Sequence, residues 1–299
     1  MVITEAGWIT ERILMLGRPE SCVYIVDGGD QMALIGGGMS YVVPDILRQF
    51  DQFEIEEEKI RWMIILHAHF DHCGVIPYFK KRWPWARVTG SVRAKQILSD
   101  TNISQSIAAL NHAEIVRAGL EAAAKDLDFG FNGIEVEETV GEGDVLASGD
   151  LTLEVLEVPG HSSCAIAIYM PREKALFASD AAGIRCEGFV MATGNSNFDL
   201  YQQSLQKMAG YDVEVLLAAH YGVSTGEDAR AYMSDSIEAA QKMRILLEES
   251  YRRHHDVKTC TQEIIDVIMN EVPDSFLSRD VFAIVVEQMV KYIAKTLEK

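Results

Sequence analysis

The sequence predicts an α/β protein in which two sheets pack face to face with helices on their outer sides, followed by a helical C-terminal region. Three observations predict it. Short apolar runs bounded by Gly, Pro and Asp open each half of the chain before residue 227, helical segments follow each group of strands, and 227–299 reads as helix throughout. Elements with one apolar face must bury it on a neighbour, and strands followed by helices, twice over, give two sheets with helices outside. The chain has 299 residues, 48% of them apolar, which is enough for a large core.

Residues 13–16, 22–26 and 32–35 are apolar runs separated by turns such as Asp27-Gly28-Gly29-Asp30, the pattern of an antiparallel meander. Residues 41–53 read as a helix, and the Glu-rich stretch 54–58 as a solvated helix end or loop. Residues 62–66 form a short buried strand that runs straight into His67-Ala68-His69-Phe70-Asp71-His72-Cys73-Gly74. A helix after Gly74, a strand near Val88 and helices across 91–127 complete the first half. The second half brings strands at 134–140, 151–158, 165–170, 175–178 and 213–218. In the helical tail, Ile237, Ala240, Met243, Leu247 and Tyr251 share one face, as do Phe282, Val285, Met289 and Ile293; both are read as packing stripes. The expected division is a catalytic unit at 1–226 and a helical extension at 227–299 that covers the site or mediates a homodimer.

Lys and Arg number 27 against 45 Asp and Glu, a formal charge of −18. Affinity for phosphate backbones and anionic lipid surfaces comes mainly from Lys and Arg, so neither nucleic acid nor membrane is an expected partner. The five cysteines include no CxxC pair, no run approaches the ~18 apolar residues of a membrane span, and Glu5, Glu11 and Arg12 interrupt any signal-like stretch. A cytoplasmic protein with buried thiols is the expectation.

Three of the eight histidines fall within six residues, with an aspartate between them. A loop released at the end of a strand can turn His67 and His69 towards one ion and Asp71 and His72 towards a second, and imidazole and carboxylate suit Zn, Fe or Mn. His161, Asp180 and His220 each follow a predicted strand and are further candidates. Together these are seven ligands for two divalent transition-metal ions, with one carboxylate able to bridge.

HAHFDH at 67–72, PGHS at 159–162, FASDAAG at 177–183 and AAHYG at 218–222 resemble the ordered motifs of the metallo-β-lactamase superfamily, and IGGG at 35–38 resembles its turn beside the site. The resemblance covers about residues 13–222. It implies a four-layer αββα sandwich, a first ion on His67, His69 and His161, a second on Asp71, His72 and His220, and Asp180 as the bridge. Asp180 stands where the true β-lactamases carry Cys or Ser, so antibiotic hydrolysis is not expected. His69 replaces the Glu of the flavodiiron pattern, and Gly183 replaces the Tyr of the homoserine-lactone hydrolases. The run DHCGVIPYF at 71–79 is most similar to the quinolone-signal response thioesterase branch, with glyoxalase II more distant. That branch suggests iron, whereas superfamily frequency suggests zinc.

The function implied is hydrolysis of a small acyl ester or thioester by a hydroxide shared between the ions, with Asp180 setting their separation and Asp71 orienting the hydroxide as well as binding. A phosphodiesterase with the same site, or a regulatory protein retaining it, are the other classes weighed. Cys73 is expected to pack, His112 to lie on a helix, and His254 and His255 to be solvated. Ser162 and Ser163 are expected to help orient His161; Tyr221 is assigned to either substrate contact or packing.

Overall fold

A computed structural model of the chain describes residues 1–186, 189–269 and 279–298. Residues 270–278 and 299 of the expected helical tail, and the side chain of Cys186, lie outside the described residues.

Strand β1 (Val2–Ile3) belongs to the edge of the second sheet. The first sheet runs in chain order through β2 (Gly7–Trp8), β3 (Ile13–Arg18), β4 (Ser21–Asp27), β5 (Met32–Ile35), β6 (Ile60–Ile64), β7 (Arg87–Ser91) and β8 (Glu138–Val140). It is antiparallel as far as β5 and parallel from β5 to β8. Parallel neighbours need a crossover. Helix α1 (Val43–Gln52) supplies it between β5 and β6, and α2 (Ile76–Arg82) between β6 and β7. Helices α3 (Val92–Leu98), α4 (Thr101–Arg117) and α5 (Glu121–Leu127) supply it before β8.

The second sheet contains β9 (Val145–Ser148), β10 (Leu151–Glu157), β11 (Ile166–Met170) and β12 (Ala175–Phe177). A separate hairpin of β13 (Ile184–Cys186) and β14 (Phe189–Met191) follows, then helix α6 (Phe198–Met208), β15 (Val215–Leu217) and β16 (Val223–Thr225). The strand order is β1-β16-β15-β12-β11-β10-β9, with α6 the crossover of the parallel pair β12 and β15. Helices α7 (Glu227–His254), α8 (Val257–Ile268) and α9 (Arg279–Leu297) close the described chain.

Period-two alternation explains the layers. Ile13, Met15, Tyr24 and Val26 face the inter-sheet space, where they meet Val155, Ile168, Phe177 and Leu217 of the second sheet. The intervening Leu14, Leu16, Val23 and Ile25 pack with the helical residues instead. Both faces are buried, which is why these strands are apolar without interruption. The architecture is the expected αββα sandwich.

The tail's stripes pack as expected at Ala240, Met243, Leu247, Tyr251, Phe282, Met289 and Ile293, all buried, while Ile237 and Val285 are only partly so. Among the described residues no helix is long and apolar enough to cross a membrane.

Several expected elements differ. The strand at 134–140 shrinks to Glu138–Val140. Strands β9 and β16 were not anticipated, because three or four residues carry too little alternation to stand out from a loop. Helix α6 was also missed, although Asn197 caps it by accepting from the Leu200 N–H at 3.0 Å. The acidic stretch is not wholly solvated: the Glu57 carboxylate accepts from the Arg82 guanidinium at 2.7 Å and from Trp83 Nε1 at 2.7 Å.

Candidate metal centre

The seven predicted residues converge where strand ends of both sheets meet. Ile65 N–H donates to the Thr89 carbonyl at 2.8 Å, carrying β6 one residue further, and the Leu66 carbonyl accepts from Ile166 N–H of β11 at 2.8 Å. The HAHFDH segment therefore leaves the first sheet tied to the second. It continues as a single 3-10 turn at Phe70–His72.

The glycine run at 35–38 supports this turn from behind. Gly74 N–H donates to the Gly38 carbonyl at 2.7 Å and Val75 N–H to the Gly37 carbonyl at 2.9 Å. A Cβ on Gly37 would lie 2.5 Å from the His72 carbonyl oxygen, so no larger residue permits this approach. From α4, Asn111 donates to the Phe70 carbonyl at 2.8 Å and accepts from the N–H and hydroxyl of Ser40, each at 2.9 Å.

His161 follows β10 through Pro159-Gly160. Its Nδ1 donates to the Thr193 carbonyl at 2.9 Å. The carbonyl of Thr193, rather than Ser162 or Ser163, thus orients the ring; the Ser162 hydroxyl lies 3.1 Å from Cys164 Sγ. Asp180 sits in a 3-10 turn, Ser179–Ala182, after β12, and the Thr193 hydroxyl donates to its backbone carbonyl at 2.8 Å. His220 lies between β15 and β16, where its Nδ1 donates to the Glu20 carbonyl at 2.7 Å.

With Nδ1 protonated, Nε2 of His161 presents a lone pair. That atom lies 3.2 Å from His67 Nε2 and 3.0 Å from His69 Nδ1. Three ring nitrogens so close satisfy one another only in part as neutral imidazoles, whereas a cation satisfies all three. The second group is built the same way. His220 Nε2, also a lone pair, lies 3.3 Å from His72 Nε2 and 3.6 Å from Asp71 Oδ2. Asp180 stands between the groups, with Oδ2 3.1 Å from His72 and 3.6 Å from His161, and Oδ1 3.5 Å from His220. The clusters His67/His69/His161, His67/His72/Asp180 and Asp71/His72/His220 each gather ligand atoms closely enough to hold an ion. The donor set, all imidazole and carboxylate, fits borderline divalent metals.

Burial and crowding shape the charges. Burial drives His67 well below the usual imidazole range and His69 down to about 3, with neighbouring imidazoles adding to the effect. Burial also opposes a charge on His72, but Asp180 and Asp71 outweigh it and raise His72 to about 10. Burial opposes ionisation of Asp71 and Asp180, yet the adjacent imidazoles hold Asp71 at about 2 and Asp180 well below the carboxylate range.

A model of the metallo-beta-lactamase superfamily matches residues 16–220. The chain belongs to that superfamily. Its members are mainly metal-dependent hydrolases. Among curated relatives, acyl-coenzyme A thioesterase MBLAC2 of Homo sapiens is 26% identical over 180 residues, which is 58% of this chain and 62% of that protein. The Gallus gallus protein of the same name is 25% identical over 177 residues, 58% and 61% of the two chains. This chain thus spans about three fifths of the length of those relatives. A metallo-beta-lactamase family protein of Thermus thermophilus superposes with a TM-score of 0.68 at 18% identity, covering 97% of this chain and 95% of that one. The subclass B3 metallo-beta-lactamase BJP-1 of Bradyrhizobium japonicum gives 0.59 at 20% identity, covering 80% and 93%. At such identities the solved structures speak to the fold alone.

Sequence reasoning missed Thr193, Glu20 and Asn195. The first two act through backbone carbonyls, which no side-chain motif marks. Asn195 is buried beside the cluster with Oδ1 lacking a hydrogen-bond partner, and the run Thr193-Gly194-Asn195-Ser196-Asn197 was the available signal. Cys73 is buried as expected, its Sγ 3.2 Å from the His69 carbonyl. His112 and His255 are exposed, and His254 Nε2 lies 3.2 Å from a Glu263 oxygen. Tyr221 is half-buried, packed against the core, with its N–H donating to the Pro19 carbonyl at 2.5 Å.

Proposed function

We propose that this protein hydrolyses a small acyl thioester or ester at a centre of two divalent transition-metal ions. His67, His69 and His161 would hold one, Asp71, His72 and His220 the other, and Asp180 both. The observation that carries the proposal is the position of Asp180, whose oxygens reach His161 of one group and His72 and His220 of the other. Similarity to acyl-coenzyme A thioesterases supports the thioester over other acyl groups.

When bound, such ions bring the pKa of water towards ~7 and polarise a carbonyl. The chain's own residues do the rest. The Thr193 and Glu20 carbonyls keep the Nε2 lone pairs of His161 and His220 aimed at the centre. The Asp71 carboxylate, which lines the adjoining cavity, orients the attacking water by accepting a hydrogen bond. Asn195 lines the same cavity, and its Oδ1, which has no hydrogen-bond partner among the described residues, is placed to accept a hydrogen bond from an N–H or O–H of the substrate. The site's burial excludes competing water and strengthens each of these contacts.

The test is a panel of acyl-thioester, ester, lactone and chromogenic phosphodiester substrates given to the protein as purified. The thioester, followed by the ester, should turn over fastest. Turnover of the phosphodiester alone would overturn the acyl reading, and no turnover with a fully loaded centre would favour a regulatory role.

A further inference from the structure

A cavity of about 250 Å³ opens directly onto His69, Asp71, His161 and Asp180. Away from those residues its character changes. One wall is α4, which presents Ile103, Ile107 and Leu110, spaced by four and three residues on a single face. The opposite wall is α9, with Val281, Ile284 and Val285 at the same kind of spacing. Val285 therefore lines a cavity, although its stripe alone marked it as a packing residue. The few polar groups between the walls include Gln288 and Ser106, and the Ser106 hydroxyl already donates to the Asn102 carbonyl at 3.0 Å. At the rim, Ile103 and Ile284 are 39% and 54% exposed, apolar surface that water covers at a cost.

We propose that the channel between α4 and α9 binds the straight hydrocarbon tail of the acyl substrate, whose carbonyl end lies at the His and Asp cluster. This rests on the acyl-hydrolase reading above and adds the substrate's chain class to it. Among the described residues of these two walls, a thiol or alcohol leaving group rich in polar atoms would find few partners beyond Gln288 and Ser106, whereas a hydrocarbon needs none. Counting ~30 Å³ per methylene-sized group, the share of a liquid water, the cavity takes roughly eight carbons. Longer chains would emerge between Ile103 and Ile284.

The test is calorimetric binding of straight-chain carboxylic acids, from butanoate to tetradecanoate, to the full-length protein as purified. Each added methylene should tighten binding roughly fourfold up to about eight carbons, after which the gain levels off. Ile107→Trp on one wall and Val285→Trp on the other should each bring the levelling forward by about two carbons or more, with circular dichroism unchanged. Using both guards against one variant failing to fold. Affinity independent of chain length would overturn the proposal, as would a length profile that neither folded variant alters. A doubling of mass at high protein concentration that abolishes acid binding would overturn it in favour of a second copy seated on the rim. Length-dependent acid binding without thioester hydrolysis would uphold the tail site and sink the hydrolase reading. Thioester hydrolysis with no chain-length preference would do the reverse.

Discussion

The hydroxyl of Thr193 donates to the Asp180 carbonyl at 2.8 Å while the carbonyl of Thr193 accepts from His161 Nδ1 at 2.9 Å, so one residue clamps two members of the cluster. Thr193→Val keeps the shape and the backbone carbonyl but removes the hydroxyl. Loss of such an outer partner typically weakens metal affinity by ~10-fold or more. Chelator competition should therefore strip metal from the variant at correspondingly lower chelator concentration; equal retention would show that the hydroxyl does not matter.

Gly160 has φ of +133°, and a Cβ there would lie 2.1 Å from the Tyr201 backbone nitrogen. Neither the backbone conformation nor the space admits a side chain. Gly160→Ala should destabilise the fold by ~2–4 kcal/mol and displace His161. Denaturant unfolding checks it, and an unchanged midpoint would count against the packing described.

Asn111 satisfies the Ser40 N–H, the Ser40 hydroxyl and the Phe70 carbonyl from a fully buried position. Asn111→Leu is close in volume but leaves those groups without this partner, at ~1–3 kcal/mol for a buried unsatisfied group. Thermal unfolding should drop, and metal retention with it, because the Phe70–His72 turn loses its support from α4.

Glu57 gives a prediction in pH. Burial works against its charge, but Arg82 and Trp83 outweigh burial and lower its pKa below the ordinary 4.5. A carboxylate lowered on folding contributes stability above its unfolded pKa and loses it as pH falls through the folded value. Glu57→Gln should therefore be less stable than wild type at pH 7, by ~1 kcal/mol after allowing for solvent screening, and the gap should close as pH falls from the ordinary 4.5 through the lowered folded value. A gap that stays constant with pH would contradict the ion pair.

The centre was legible in the sequence because its chemistry resides in side chains at fixed spacing. His67, His69, Asp71 and His72 occupy one loop, and His161, Asp180 and His220 each follow a strand, so pattern placed all seven at strand ends and the family resemblance implied one common sheet edge. The layered fold was legible for a related reason: β3 and β4 are buried on both faces and read as unbroken apolar runs. Other features were not. The Thr193 and Glu20 carbonyls look like any other backbone in the sequence. Glu57 is one of four glutamates in 54–58, and only the fold brings Arg82 and Trp83 to it. Strands as short as β9 and β16 exist because their neighbours pair with them. Val285 belongs to an amphipathic stripe, and only the fold sets it in one cavity with Ile103, Ile107 and Leu110 of α4, far away in the chain.

The most direct test of the two-ion account is elemental analysis of wild type and Asp180→Asn side by side, with thioester turnover followed on the same samples. The account predicts about two transition-metal ions per wild-type chain. For the variant it predicts a clear loss of metal and a fall in turnover of ~10³-fold or more, with the circular dichroism of wild type. Wild-type turnover in Asp180→Asn would contradict it.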